Sequence, residues 1–229
     1  MAIIKKYKSI IQSIENPLPD VFVVTIKSLE KPFKYLPGQF LHLALDSYDP
    51  SSAWPESRCF SIQSNGNEEI IKLTFSVKGK FTKRMSEELK NGKEVWLKLP
   101  YGELFTKEHD KNNCVFIAGG TGITPFFSLF TSDQFTDYIN PILYFGLKNK
   151  SYNIYNDELE KSLSKNNNFI IKLLHQDKDG IIDIQKILND YNIDKTFFIS
   201  GPPVMIKNFK NYLLGNGVSS DRIKTDDWE

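Results

Sequence analysis

The sequence predicts two domains, an N-terminal antiparallel β-barrel over residues 1–109 followed by a C-terminal α/β doubly wound parallel sheet over residues 110–229. Three observations predict it. From residue 21 to about residue 99 apolar and polar side chains alternate, clearest where Ile71, Leu73, Phe75 and Val77 oppose Ile70, Lys72, Thr74 and Ser76, the rhythm of half-buried antiparallel strands. After the polar stretch 107–113 the rhythm changes to continuous apolar runs, each followed by helical spacing, the pattern of buried parallel strands joined by helices. A length of 229 residues accommodates one large domain or two small ones.

Taken in order, residues 1–16 carry Lys5, Lys6 and Lys8 but no continuous apolar core. Strands are expected at 21–27, 40–45, 59–64, 70–77 and 95–99, separated by the turn signals Leu36-Pro37-Gly38, Asn65-Gly66-Asn67 and Asn91-Gly92. Short strands at this spacing suggest a small barrel. A helix over 83–89, capped by Thr82, ends at Asn91-Gly92. In the second half the buried strands are 114–118, 142–145, 169–174 and 196–199, and the helices are 125–132, 156–163, 183–191 and 204–214. Asn166-Asn167-Asn168 reads as an exposed turn. Ligands of a doubly wound sheet bind at the carboxyl ends of its strands, so the second half is expected to bind a nucleotide.

Composition excludes several function classes. With 29 Lys+Arg against 28 Asp+Glu, no global field draws the chain to nucleic acid or anionic lipid. Cys59 and Cys114 are too few for a disulfide framework or an iron–sulfur ligand set. His42, His109 and His175 are too scattered for a zinc site, so no metal is expected. No apolar run approaches the roughly 18 residues of a membrane helix. The expectation is a reduced, cytoplasmic chain with no membrane insertion.

Three segments have residue types suited to anionic cofactors. Residues 115–125 run from a buried strand through Gly119, Gly120 and Gly122 to Thr124 and Pro125. A Thr124 cap and Pro125 would start a helix there, whose positive end accepts a phosphate. Pro125 stands where a third glycine of the dinucleotide fingerprint would be, and no Gly-Lys-Ser/Thr follows. A bare strand–helix turn is the alternative. In Arg58-Cys59-Phe60-Ser61, alternation puts Arg58 and Phe60 on one face of a strand and Ser61 on the other. Arginine can grip a phosphate bidentately, phenylalanine can stack on a planar ring and serine can bond a ring nitrogen; the alternative is an ordinary strand with an exposed arginine. Residues 77–82 supply a second glycine turn into a helix, at Gly79-Lys80-Phe81-Thr82.

Pro37-Gly38-Gln39-Phe40, Arg58-Cys59-Phe60-Ser61, Gly79-Lys80-Phe81-Thr82, Pro100-Tyr101-Gly102, Gly119-Gly120-Thr121-Gly122-Ile123-Thr124-Pro125 and Ser200-Gly201-Pro202-Pro203-Val204-Met205 occur in the order seen in the ferredoxin–NADP reductase superfamily, which the chain therefore resembles along nearly its whole length. The resemblance implies a flavin, FAD ahead of FMN, on the N-terminal barrel, and NADH or NADPH on the C-terminal domain. It implies that Arg58 pairs with the flavin pyrophosphate, Phe60 stacks on the isoalloxazine and Ser61 bonds near N5. Cys59 falls inside the same motif. Gly79, Lys80, Phe81 and Thr82 would hold the pyrophosphate from a helix N-terminus. Gly120, Thr121, Gly122 and Pro125 would lie along the pyridine nucleotide, with Gly201 and Pro202 near the nicotinamide.

The departures are specific. The family often has tyrosine at Phe60 and cysteine at Ser200. The ending Thr225-Asp226-Asp227-Trp228-Glu229 resembles a family ending of an acidic residue before an aromatic, and gives Asp226 a supporting catalytic role beside Ser61; a solvated acidic tail is the alternative. Trp54 could cover the adenine or a partner surface, or be a hydrophobic lid on the barrel; Lys148 or Lys150 could meet a ribose 2′-phosphate and His175 could touch nucleotide, or these three can be solvated. The expected function is an NAD(P)H-dependent flavoprotein reductase. With no iron–sulfur domain within the sequence, its acceptor would be separate, a ferredoxin, a flavodoxin, an oxygenase component or a free flavin. The competing readings are a free-flavin reductase and a non-catalytic flavin- or nucleotide-binding subunit.

Overall fold

The strand that organises the first half of the chain lies in the segment with the weakest apolar signal. In a computed structural model, which describes residues 3–65 and 69–226, β1 (Lys5–Leu18) pairs antiparallel on both sides. Tyr7, Ser9 and Ile11 alternate inward while Lys6 and Lys8 point outward. The chain divides into two units between Thr106 and Lys107.

In the first unit β1 is followed by β2 (Val21–Ser28), β3 (Phe40–Ala44), β4 (Ser57–Ser61), β5 (Ile70–Ser76), α1 (Lys80–Glu88) and β6 (Glu94–Tyr101). Six strands form one sheet in the order β4-β3-β6-β1-β2-β5. The chain beyond β4 bridges to β5: Gln63 N–H donates to Lys72 O at 2.9 Å, and Thr74 Oγ1 donates to Gln63 Oε1 at 2.6 Å. This curls the sheet into the expected barrel. Its interior holds Val24, Ile26, Leu41, Leu43, Leu73 and Leu97, each fully buried and each worth about 1.5–3 kcal/mol. Helix α1 closes one end with Phe81 and Met85, followed by Leu89 beyond its last turn.

The second unit alternates strands and helices. Its elements are β7 (Cys114–Gly119), a 3₁₀ turn at Gly120–Ile123, α2 (Thr124–Phe130), β8 (Ile142–Leu147), α3 (Asn156–Lys165), β9 (Ile170–His175), the short α4 (Gln176–Asp179), α5 (Ile184–Tyr191), β10 (Thr196–Ser200), α6 (Pro203–Gly215) and β11 (Ile223–Thr225). All sheet pairs are parallel, in the order β11-β10-β7-β8-β9. One face buries Phe116 and Phe198, stacked at 4.9 Å, under Phe126 and Phe130 of α2. The other buries Val115, Ile117 and Phe197 under α5 and α6. Helices on both faces make the sheet doubly wound. β7 leads to β8 on one side while β10 lies on the other, so a topological switch point sits between the carboxyl ends of β7 and β10.

Several local expectations need correction. α1 begins at Lys80, and Thr82 is its third residue: Thr82 Oγ1 reaches back to accept from Lys78 N–H at 2.9 Å and Gly79 N–H at 3.1 Å. Thr124 is likewise no cap. It lies inside α2 and donates its hydroxyl to Thr121 O at 3.0 Å, because a 3₁₀ turn has already started the helical winding. Asn166 is buried, its amide donating to Phe135 O at 2.9 Å and Tyr138 O at 2.8 Å. Among the described residues no helix is long and apolar enough to cross a membrane, and no group of three His, Cys, Asp or Glu is placed to hold a metal.

Candidate cofactor sites

In the first unit, β4 is the sheet strand next to β3, with Leu43 opposite Arg58, Leu41 opposite Phe60 and Phe40 opposite Ser61. Opposed residues share a face, so Phe60 lies on the core side with Leu41. Phe60 meets Phe75 edge-on at 6.2 Å and is half-buried. Arg58, one step closer to the strand's start, is exposed and lies over the Phe81 ring at 5.2 Å. The structure thus brings Arg58 to the first turn of α1.

That turn presents unpaired donors. The first backbone N–H groups of a helix have no intrahelical acceptor, and the helix end carries partial positive charge. Thr82 takes up Lys78 and Gly79 N–H, which leaves those of Lys80, Phe81 and Thr82 at the helix mouth. No acidic side chain stands in this turn. Gly79, its N-cap, has an extended φ of −155° that any residue adopts, and a Cβ built there would meet nothing within 4 Å. The chain's own packing does not require this glycine, whereas an anion approaching the backbone would. Arg58, open backbone and helix end together fit a phosphate or pyrophosphate.

Cys59 does not join them. Its Sγ lies 3.5 Å from His42 Nε2 on the other face of β4, and burial pushes its thiol above the ordinary range. Ser61 shares that face, opposite Phe40, whose ring stacks on Tyr101 at 5.4 Å. Gln39 is a positioning residue that motif reading left without a role. Buried at 5% exposure, it accepts from Leu36 N–H at 2.7 Å and donates to Gly102 O at 3.1 Å, tying residues 36–40 to residues 100–102. Trp54 donates its indole N–H to Ser57 Oγ at 3.0 Å and packs on Tyr48 at 5.3 Å.

Helix α1 is also tethered at its middle. Arg84 forks onto Asp46, which follows β3, and pairs with Glu88. Those charge-assisted bonds raise the Arg84 pKa and hold the Asp46 and Glu88 carboxyls below their ordinary range.

In the second unit, the loops after β7 and β10 meet at the switch point. A Cβ on Gly122 would lie 2.5 Å from Gly201 N and 2.8 Å from Ser200 C. The close passage of the Gly201 backbone by itself requires glycine at position 122. Gly120 differs: its φ is +54° and nothing lies within 4 Å of its Cβ position. Thr121 is half-buried and Pro125 is buried within α2, so Pro125 sets the helix entry from beneath. Gly201 has φ +151°. Met205 and Pro202 crowd Gly119, with Met205 Sδ at 3.2 Å and Pro202 Cδ at 3.0 Å from its Cβ position. Gly120 supplies an open approach of the kind a nucleotide phosphate needs.

Ser200 is 2% exposed and donates Oγ to Asp226 Oδ2 at 3.1 Å, while Asp226 N–H bonds Ile199 O at 3.0 Å. Asp226 is accordingly held on the end of β10. Asp227, Trp228 and Glu229 lie outside the described residues. Lys148 lies over the Tyr152 ring at 5.1 Å, and His175 faces Asp179 at 3.9 Å.

Residues 116–211 match the family model of the oxidoreductase NAD-binding domain. The chain is 26% identical to the reductase component of propane 2-monooxygenase from Mycolicibacterium smegmatis, over 96% of this chain and 67% of that protein. It is 27% identical to the phenol 2-monooxygenase reductase component DmpP of Pseudomonas sp. strain CF600, over 89% of this chain and 60% of that protein. A ferredoxin NADP+ reductase from Neisseria gonorrhoeae, solved with bound FAD and NADP, has the same fold, with a TM-score of 0.80 at 18% identity and 99% of each chain covered. The chain spans 67% and 60% of the length of these two curated relatives. The matched nucleotide-binding domain, relatives aligned across both units and the barrel-then-parallel-sheet fold agree with the ordered motifs, and the chain is similar to the ferredoxin–NADP reductase superfamily.

Proposed function

We propose that the chain is a flavin-dependent NAD(P)H oxidoreductase, with FAD ahead of FMN on the first unit and NADH or NADPH on the second. The observation that carries this reading is the meeting of Arg58 with the open N-terminal turn of α1 at Gly79. A flavin held there would supply the chemistry that links a two-electron nicotinamide donor to one-electron acceptors. The protein's part is to bind and orient. Arg58 and the N–H groups of residues 80–82 hold the phosphates, Phe60 offers its half-buried ring, and Ser61 offers a hydroxyl. Gly120 admits the nucleotide backbone with Thr121 beside it, Gly201 and Pro202 border the nicotinamide, and Ser200 orients the Asp226 carboxylate. The relatives that support this reading are named as reductase components of oxygenase systems, and we accordingly assign electron delivery to a separate acceptor. Free thiols at Cys59 and Cys114 suit a reducing compartment, and we place the chain in the cytoplasm.

The test is an anaerobic visible spectrum of the purified protein reconstituted with FAD, before and after NADH or NADPH is added to separate samples. Bleaching by either donor is expected, and the faster donor defines the preference. Flavin that binds but is bleached by neither would replace this reading with that of a non-catalytic subunit.

A further inference from the structure

We propose that Glu56 is an internal competitor for the phosphate-gripping fork of Arg58, making the chain release phosphate-bearing flavins more readily than Arg58 and α1 alone would allow. The inference rests on the flavin reading above and assigns a role to a residue outside the motifs. Arg58 Nη2 lies 3.0 Å from Glu56 Oε1, and Nη1 donates to Ser57 O at 2.8 Å. Both prongs are therefore engaged by the two residues that precede Arg58.

The segment is shaped to present this carboxylate. Pro55 fixes its own φ, and the bond from Trp54 Nε1 to Ser57 Oγ at 3.0 Å closes the turn around Glu56. Tyr48 packs on the Trp54 ring at 5.3 Å. Glu56 consequently loses less freedom on pairing than a carboxylate on a loose loop. A phosphate oxygen approaching Arg58 shares the guanidinium with an anion already paired to it, or displaces that anion from Nη2.

The competition has a bounded size. Arg58 and Glu56 side chains are 55% and 57% exposed, and exposed pairs of this kind shift an equilibrium by about two- to fivefold. A doubly charged pyrophosphate assisted by the helix end wins that contest but loses this factor in affinity. Riboflavin, which has no phosphate, does not enter it.

The test measures dissociation constants for FAD and riboflavin with the full chain, its Glu56→Gln and Arg58→Ala variants, and the double variant. Glu56→Gln is expected to tighten FAD about two- to fivefold when Arg58 is present, to change FAD binding by less than about 1.5-fold beside Arg58→Ala, and to leave riboflavin unmoved. The proposal is overturned if Glu56→Gln leaves FAD affinity unchanged, if the tightening persists undiminished without Arg58, which would make it through-space repulsion, or if riboflavin tightens equally. An unmodified chain that binds no FAD at all would instead remove the flavin reading on which the inference stands.

Discussion

Two glycines that look alike in the sequence should respond oppositely to one added methyl group. In Gly122→Ala the new Cβ would sit 2.5 Å from Gly201 N and 2.8 Å from Ser200 C. Both are backbone atoms, so relief requires moving the loop after β10 away from the loop after β7. Overpacking of this kind costs about 1–3 kcal/mol. For a unit of this size a loss of about 2 kcal/mol lowers Tm by about 8 °C. In Gly79→Ala the Cβ meets nothing within 4 Å and φ is already extended. A small helix-cap loss is offset by about 0.4–1 kcal/mol from the stiffer unfolded chain, so stability should stay within about 0.5 kcal/mol, while the methyl stands at the mouth proposed for the flavin phosphates. Calorimetric Tm and FAD titration on both variants check the pair. If Gly122→Ala melted with the unmodified chain, the close approach of the two loops would be refuted. If Gly79→Ala bound FAD unchanged, α1 would lose its assignment as a phosphate cradle.

Arg58→Ala should weaken FAD binding by about 1.5–3 kcal/mol, the worth of a hydrogen bond to a charged group; an unaltered dissociation constant would take Arg58 out of the site. Ser61→Ala should slow flavin reduction by NAD(P)H while sparing FAD affinity, as read by stopped-flow absorbance against titration. Ser200→Ala should remove the hydrogen bond from the Ser200 hydroxyl to the Asp226 carboxylate and change the pH profile of flavin reduction with little effect on Tm, an effect Ser200→Thr should restore by keeping the hydroxyl. His109 tests pH linkage: burial, with Lys111 and Lys224 nearby, lowers its pKa below the ordinary value of about 6.5. Between its folded value and about pH 6.5 the unfolded chain binds more protons, so this contribution is complete above that pH and is lost as pH falls. The urea midpoint should therefore drop less between about pH 7.5 and about pH 5.5 in His109→Gln than in the unmodified chain, and equal drops would exclude His109.

The class of each half was legible because its periodicity is set by burial geometry: one-sided burial alternates, as in residues 70–76, and two-sided burial runs on, as in residues 114–118. β1 was not legible, although it pairs with both β2 and β6. Its inward face includes Ser9, fully buried, and its pairing with β2 shifts register between Ile11 and Ser13 and again between Glu15 and Leu18, which breaks the two-residue rhythm that marks a strand. Asn166 escaped for another reason. Three consecutive asparagines are a local turn signal, but the carbonyls that bury Asn166 belong to residues 28 and 31 positions away.

The site residues divide along the same line between local and distant causes. Arg58 and Phe60 were correctly placed on one face because alternation within β4 is a local rule. That Arg58 lies over Phe81 is not local, since it depends on α1 returning to the strand that carries Arg58. Glycine is the residue whose meaning sequence leaves most open, because absence of a side chain serves turns, close packing and ligand approach equally. The neighbours decide: Gly122 is hemmed by the backbone of Gly201, Gly146 by Ile182, and Gly38 by Phe105, so those positions serve the fold. Gly79 has neither a neighbour nor a left-handed φ to account for it. Beyond its suitability as the N-cap of α1, what it offers is the space beside it, and that space adjoins a helix end and an arginine.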